Sequence, residues 1–308
     1  MADFFSQMPA RAVAAGRRLL PKRWRGDIAV VPVVRLAGVI GVSTPLRPGL
    51  TLAGIARTLE RAFGMRNAKA VALLINSPGG SAVQSHLIYQ RIRALAAEKS
   101  LPVLASVEDV AASGGYMIAC AADEIVGDPA SIVGSIGVIG ASFGFTDAIR
   151  KLGVERRIYT AGENKSMLDP FLPEKEEDVA RLKALQGEIH EMFIELVRTS
   201  RGARLTGPEK TLFSGQYWTA KKGMEYGLVD RLIDLRALLH ERYGDSVQTP
   251  LIAAERSLFG WRKPGVSGLS GGGLVAGLVP ERLFDGAGLM DDFISAVESR
   301  SIWSRYGL

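Results

Sequence analysis

The chain has 308 residues, 47% of them hydrophobic and 35 of them glycine, which is enough apolar content for one sizeable core and too much for a disordered chain. Its formal charge is +6, yet residues 1–26 alone carry Arg11, Arg17, Arg18, Lys22, Arg23 and Arg25 against Asp3, a net +5 that leaves only +1 for the rest. Basic charge gathered in a terminal arm does not describe a nucleic-acid-binding face, and a single cysteine, Cys120, excludes an internal disulfide and argues against a cysteine-based zinc site.

In the arm, Phe4, Phe5, Met8, Ala12, Ala15 and Leu19 fall at near-helical spacing with arginines elsewhere on the wheel. Three readings stand: contact with an anionic membrane surface, docking on another subunit, or a frayed terminus. No apolar run reaches the roughly 18 residues of a transmembrane helix. The charged residues follow the apolar ones, the reverse of a cleavable signal.

From residue 27 strands alternate with helices. Ile28–Val42 reads as a strand or strand pair, and Thr51–Phe63 as a helix with Thr51 as N-cap. Val71–Ile75 is a buried strand ending in the turn Asn76-Ser77-Pro78-Gly79-Gly80. Ala82–Ala97 is helical, Val103–Val107 a strand, and Ser113–Ala121 a helix opening after that strand's loop. Glu124–Val126 and Ile132–Ile139 are strands, Thr146–Leu152 a helix and Glu155–Tyr159 a strand. Lys175–Arg198 is a long helix whose Val179, Leu182, Leu185, Ile189, Met192, Phe193 and Leu196 make one apolar stripe. Two shorter helices around Val229-Asp230 close the domain. Such alternation predicts βαβ units and a largely parallel sheet, an α/β fold. The chain divides into the arm (1–26), this domain (27–246) and a tail (247–308). In the tail a glycine-rich stretch, Ser267–Gly277, precedes a helically spaced segment, Leu289–Trp303, and nothing suggests chemistry.

Two glycine-bearing turns draw attention. In Asn76-Ser77-Pro78-Gly79-Gly80, adjacent glycines permit positive φ and let backbone N–H groups face an anion, although a plain strand-to-helix turn has the same composition. In Ala111-Ala112-Ser113-Gly114-Gly115-Tyr116 a serine stands among small residues at a helix start, where the helix N-terminus favours an oxyanion. A serine N-cap is the ordinary use of that position.

A serine hydroxyl needs a base. His86, His190 and His240 have no recognisable carboxylate partner, and His190 reads as a structural or surface residue. Lysine is the alternative, but it must shed its charge, which means lowering an ordinary value near 10.4 to about 7–8 at a cost of roughly 4 kcal/mol. Lys165, in Gly162-Glu163-Asn164-Lys165-Ser166-Met167, is a candidate on a loop; an exposed lysine is the plainer reading.

Residues 71–170 resemble the signal peptide peptidase A family, including its SohB-like members. The resemblance rests on Ile75-Asn76-Ser77-Pro78-Gly79-Gly80, Ala112-Ser113-Gly114-Gly115-Tyr116, Gly134-Ser135-Ile136-Gly137-Val138-Ile139 and Asn164-Lys165-Ser166-Met167-Leu168-Asp169-Pro170-Phe171, in that order. It extends more loosely over 27–240, through Phe213-Ser214-Gly215-Gln216 and Ala220-Lys221-Lys222-Gly223-Met224. It implies a Clp protease/crotonase-like ββα superhelix with a long C-terminal amphipathic helix, and a serine endopeptidase with a Ser–Lys dyad. Position by position, Ser113 matches the nucleophile, Lys165 the general base and Ser135 the serine that orients the lysine. The N–H groups of Gly79, Gly80 and Gly114 match the oxyanion hole. No cofactor or metal is implied. The implied substrates are residual signal peptides or other unstructured apolar peptides. The implied assembly is a homo-oligomeric ring or dome whose dyad can form within or between subunits; the arm, residues 1–26, is read separately as the peripheral contact with a bacterial cytoplasmic membrane. Many members begin with a transmembrane anchor, whereas this chain has only the basic arm. The alternatives are a crotonase-like acyl-CoA enzyme, which needs no serine–lysine pair, and an inactive scaffold. A Clp-type protease is a further rival, but this chain has no histidine where that type carries its base.

Overall fold

The computed structural model describes residues 28–41 and 49–253, together with Trp303 and Tyr306. The amphipathic arm 1–26 and the helix expected over Leu289–Trp303 lie outside the described residues, except for Trp303.

The strands are β1 (Val33–Ala37), β2 (Val71–Ser77), β3 (Val103–Ala112), β4 (Glu124–Gly127), β5 (Ile132–Gly134), β6 (Tyr217–Thr219) and β7 (Arg231–Leu232). The helices are α1 (Leu52–Phe63), α2 (Ala82–Lys99), α3 (Gly114–Ala119), α4 (Thr146–Lys151), α5 (Glu176–Arg201), α6 (Glu209–Leu212), α7 (Ala220–Glu225) and α8 (Leu235–Tyr243). The strands run in the order β1-β2-β3-β4-β7, all pairs parallel. The expected α/β architecture with a largely parallel sheet is therefore observed.

β2 is apolar from Val71 to Ile75 because both of its faces are covered, as parallel sheets require. Val71, Leu73 and Ile75 face a large cluster that includes Leu59 and Phe63 of α1, Ile88 and Ile92 of α2, Met117 and Ile118 of α3, and Phe193 and Val197 of α5. Ala72 and Leu104 face the opposite side, where Leu238 and Leu239 of α8 close a smaller cluster. Local signals fix the helix starts: Thr51 Oγ1 accepts from the Gly54 N–H at 3.2 Å and Ser81 Oγ from the Gln84 N–H at 3.3 Å. Glu176, Glu177 and Asp178 open α5, and Arg198 and Arg201 end it, both favourable to the helix dipole.

Arg201 ties the far end of α5 to the sheet. Its guanidinium, with a fully buried side chain, donates to Asp230 Oδ1 at 2.7 Å and Oδ2 at 2.9 Å, and to the Gly227 carbonyl at 2.9 Å. Burial alone would raise the Asp230 pKa, but the hydrogen bonds from Arg201 and the Ile125 N–H hold it below the usual aspartate value.

Five expectations need correction. β3 runs on to Ala112, because its second half pairs with β5 while its first half pairs with β4. The strand expected over Ile132–Ile139 stops at Gly134, since Gly134 (φ 100°) and Ser135 (φ 55°) leave the extended region. Glu155–Tyr159 forms no strand: it finds no partner, and Tyr159 is 90% exposed. The α5 stripe is buried only over its last third, from Phe193 onward, and Leu185 stays half-exposed. Residues 248–252, counted with the tail, continue the body: the Val31 and Val33 N–H groups donate to the Gln248 and Pro250 carbonyls, and Ile252 is buried.

Candidate active site

β2, β3 and β5 end beside one another, and their ends line one cavity of about 490 Å³. Pro78 and Gly80 come from the turn after β2, Ser113 and Gly114 from the junction of β3 with α3, and Ser135 and Gly137 from the exit of β5. Ile189, His190 and Phe193 of α5 form a further wall.

Ser113 sits at the sharpest of these junctions, with φ 53° and ψ −123°, a conformation that costs an L-residue on the order of 1–3 kcal/mol. The strain is held by pairing on both sides. Ala112 still pairs with Gly134, and the Ser113 N–H donates to the Gly134 carbonyl at 2.8 Å, while the Ser113 carbonyl begins α3 by accepting from the Met117 N–H at 3.0 Å. Ser113 occupies the N-cap position, but its hydroxyl caps nothing and makes no hydrogen bond among the described residues. The plain N-cap reading is therefore excluded. What remains is a half-buried hydroxyl opening into a cavity from a strained strand-to-helix turn, the geometry that exposes a nucleophile.

The glycine turn backs directly onto this serine. A Cβ on Gly79 would lie 2.8 Å from the Ser113 Cβ and 3.0 Å from both the Ala112 carbonyl oxygen and the Gly114 nitrogen. Only a glycine permits that approach at φ 104°. The Gly79 N–H is already directed to Ser77 Oγ at 3.3 Å. The N–H groups of Gly80 and Gly114 make no hydrogen bond among the described residues.

Ser135 is the second strained non-glycine residue of the cavity, fixed by its own N–H to the Gln216 carbonyl at 2.6 Å. The adjacent Ile136 carbonyl accepts from the Gly215 N–H at 3.1 Å and faces His190 Nε2 at 3.1 Å. His190, expected to be structural or on the surface, thus lines the cavity while holding the segment that carries Ser135. No carboxylate lines the cavity among the described residues, so His190 has none of the companions of a triad. Among the described residues no cluster of His, Cys, Asp or Glu could hold a metal ion.

Lys165 is not among the residues that line the Ser113 cavity. It lies in a turn at 161–168, is exposed, and makes no ion pair or side-chain hydrogen bond among the described residues. The turn belongs to an excursion held together by its own contacts. The Phe145 N–H donates to the Pro170 carbonyl at 2.6 Å, Phe145 stacks on Phe171 at 5.5 Å, and Arg156 bonds Asp169 at 2.9 Å while lying over the Phe171 ring. Ile139, Phe143, Leu152, Val154 and Tyr159 of this excursion are exposed.

One contributor to the cavity was missed. Tyr306, in a tail that offered no sign of chemistry, lines it and is buried. The only hint in the sequence is the aromatic pair Trp303 and Tyr306 in that tail, and spacing alone cannot name the surface that receives it.

A parallel α/β sheet that presents a strained serine at a helix N-terminus, beside free backbone donors, is the arrangement of a serine hydrolase of Clp-protease-like fold. The sequence model of peptidase family S49 matches residues 95–243. Protease 4 of Haemophilus influenzae is 36% identical over 180 residues, 58% of this chain and 28% of that protein. The chloroplastic serine protease SPPA of Arabidopsis thaliana is 32% identical over 219 residues, 68% of this chain and 32% of that protein. A Brucella abortus protein named Na(+)/H(+) antiporter NhaA is 52% identical over 293 residues, 95% of this chain but 39% of that protein. The chain thus spans less than two-fifths of these relatives, and the transport in the last name is said of a protein mostly outside the shared stretch. Among the described residues, no helix is long and apolar enough to cross a membrane. Residues 95–243 thus carry the sequence pattern of peptidase family S49, and the chain is similar to signal peptide peptidase A proteins.

Proposed function

We propose that the protein is a serine endopeptidase in which Ser113 is the nucleophile and Lys165 the general base, the lysine reaching the serine from a neighbouring protomer. The observation that carries this reading is Ser113 itself: a strained, uncapped hydroxyl at the mouth of a helix N-terminus, facing a cavity. Ser113 Oγ attacks the scissile carbonyl carbon as its proton passes to the neutral Lys165 amine. The oxyanion develops between the Gly80 and Gly114 N–H groups; Gly79, whose N–H is turned to Ser77, supplies the close approach instead. The lysine ammonium then protonates the leaving amine. Water, deprotonated by the same lysine, releases the acyl group from Ser113. Ser135 orients the lysine amine.

The position of Lys165 supports a dyad shared between protomers. Lys165 is exposed in the single chain, and burial against a second copy would supply the desolvation that a lysine base requires. The same excursion exposes Ile139, Phe143, Leu152 and Tyr159, and Leu185 of the α5 stripe is exposed as well, as an oligomer interface would require. The open cavity, its mixed apolar and backbone lining and the S49 relationship favour extended apolar peptides, such as residual signal peptides, as substrates. Residues 1–26 then serve as the peripheral contact with the cytoplasmic membrane.

Hydrolysis of an unstructured alanine- and leucine-rich peptide tests the reading. Ser113→Ala and Lys165→Ala should each abolish it, and the wild-type rate should rise with pH through an apparent value well below that of free lysine. Full activity in Lys165→Ala would end the dyad proposal. Deleting residues 1–26 should release the protein from sedimented anionic vesicles.

A further inference from the structure

β2 and β3 are parallel neighbours, and their ends lead into the Gly79-Gly80 turn and Ser113. Their register is not uniform. Ile75 pairs with Val107, but two residues on Ser77 pairs with Ala111, so Asn76 stands alone against Glu108, Asp109 and Val110. β3 therefore carries an enlarged bulge just before the serine, a device that re-aims the residues beyond it. Counting on from Ile75 and Val107 without the bulge would set Gly79 beside Ala111. Counting on from Ser77 and Ala111 sets Gly79 beside Ser113, and that is the observed contact: a Cβ on Gly79 would lie 2.8 Å from the Ser113 Cβ.

Three side chains from three parts of the sheet hold the bulge. Asn76 Nδ2 of β2 donates to Asp109 Oδ2 at 2.6 Å. The Asn76 side chain is buried and its Oδ1 has no partner among the described residues, so the bond to Asp109 is what fixes its amide. Ser131, buried one residue before β5, donates to the Glu108 carbonyl at 2.5 Å and lies 3.3 Å from the Val107 carbonyl oxygen, satisfying the bulged backbone. Arg35 of β1 donates to Glu108 Oε2 at 2.9 Å, but its side chain is half exposed and such a pair contributes little. Asp109 is exposed, and neither it nor Ser131 lines the cavity.

We infer that Asp109, acting through Asn76, and Ser131, acting through the Glu108 carbonyl, are positioning residues. They fix the bulge and with it the distance from the Gly80 N–H, on the β2 side, to Ser113 and the Gly114 N–H, on the β3 side. The inference rests on the peptidase reading and adds to it residues that touch no substrate. The two sides act together only when the oxyanion forms. A slip of β3 against β2 therefore costs transition-state stabilisation and leaves ground-state binding of the peptide in place.

The test compares two ligands of one alanine- and leucine-rich sequence, one ending in a boronic acid and the other in an amide. Ser113 Oγ adds to the boron as its proton leaves, giving a tetrahedral anion, whereas the amide reports ground-state binding alone. A misplacement of about 1 Å costs on the order of 10²-fold, so the smaller slip in Asp109→Leu should cut the boronate's advantage over the amide about tenfold, with amide affinity unchanged. Asp109→Asn keeps an acceptor for Asn76 Nδ2 and should stay within about threefold of wild type. In steady-state hydrolysis kcat should fall in parallel while KM holds. A boronate advantage or a kcat equal in Asp109→Leu and wild type would overturn the inference, as would Asp109→Asn proving as damaging as Asp109→Leu. Should Asp109→Leu fail to fold, Ser131→Ala removes the other restraint and should cut the advantage by about threefold or more; no change would overturn the inference equally. An advantage that responds as described in a protein that cleaves no peptide supports this inference and removes the peptidase reading. Peptide cleavage with advantage and kcat unmoved by Asp109→Leu removes the inference alone. Neither advantage nor cleavage in the wild type removes both.

Discussion

Replacing Gly79 by alanine tests the packing that shapes the nucleophile's wall. The new Cβ would stand 2.8 Å from the Ser113 Cβ and 3.0 Å from the Ala112 carbonyl and the Gly114 nitrogen, all belonging to the junction that carries the serine. The backbone at φ 104° disfavours any L-residue by about 1–2 kcal/mol, and overpacking a filled site adds typically 1–3 kcal/mol. The expected loss is therefore about 2–5 kcal/mol, large against a typical total of about 5–15 but compatible with a folded protein. Ordinary contact begins near 3.4 Å, so the turn and Ser113 must part by about 0.6 Å. A misplacement of about 1 Å costs on the order of 10²-fold in rate, so kcat should fall between about tenfold and a hundredfold. Urea unfolding gives the first quantity and steady-state peptide hydrolysis the second. Ser113→Gly removes one of the clashing atoms, so the stability losses of Gly79→Ala and Ser113→Gly should be coupled by about 1 kcal/mol, with Gly79→Ala less harmful in the glycine background. A Gly79→Ala protein with wild-type unfolding midpoint and kcat would refute this packing.

Ser113→Gly alone should be more stable than Ser113→Ala by about 1 kcal/mol in urea unfolding, because only glycine relieves the strained φ and ψ; both should be inactive. Asp230→Asn leaves the fully buried Arg201 side chain with a weakened partner and should lower stability by about 3–5 kcal/mol in the same assay. The Asp230 pKa is held below its unfolded value of about 3.9, so its stabilisation is present above that pH and is lost as pH falls through the folded value. The wild-type unfolding midpoint should accordingly drop below about pH 4, and Asp230→Asn should flatten that part of the profile.

Much of this fold was legible because local chemistry and tertiary packing agree. Thr51 and Ser81 carry the side chains their cap positions need, and the unbroken apolar run of β2 matches a strand covered on both faces. The failures arose where pairing or assembly overrides local pattern. Ala111-Ala112 looked like loop, but pairing with β5 extends β3 through it and drives Ser113 into its strained turn. Glu155–Tyr159 has strand composition but no neighbouring edge to pair with. The site was legible as a set of small-residue turns, because close backbone approach demands glycine at Gly79. It was not legible as a complete site, since the sequence says nothing about which surface receives Tyr306, and Lys165 stands in solvent in the single chain.

The central claim is a Ser113–Lys165 dyad assembled between protomers, and mixing two inactive proteins tests it most directly. Ser113→Ala and Lys165→Ala are purified separately, combined in equal amounts under conditions that exchange subunits, and assayed for hydrolysis of the apolar peptide. In a head-to-tail assembly, about a quarter of randomly formed interfaces would join an intact Ser113 to an intact Lys165. Activity should therefore return to about a quarter of the wild-type value. A mixture as inactive as its components, despite demonstrated subunit exchange, would contradict a dyad shared between protomers.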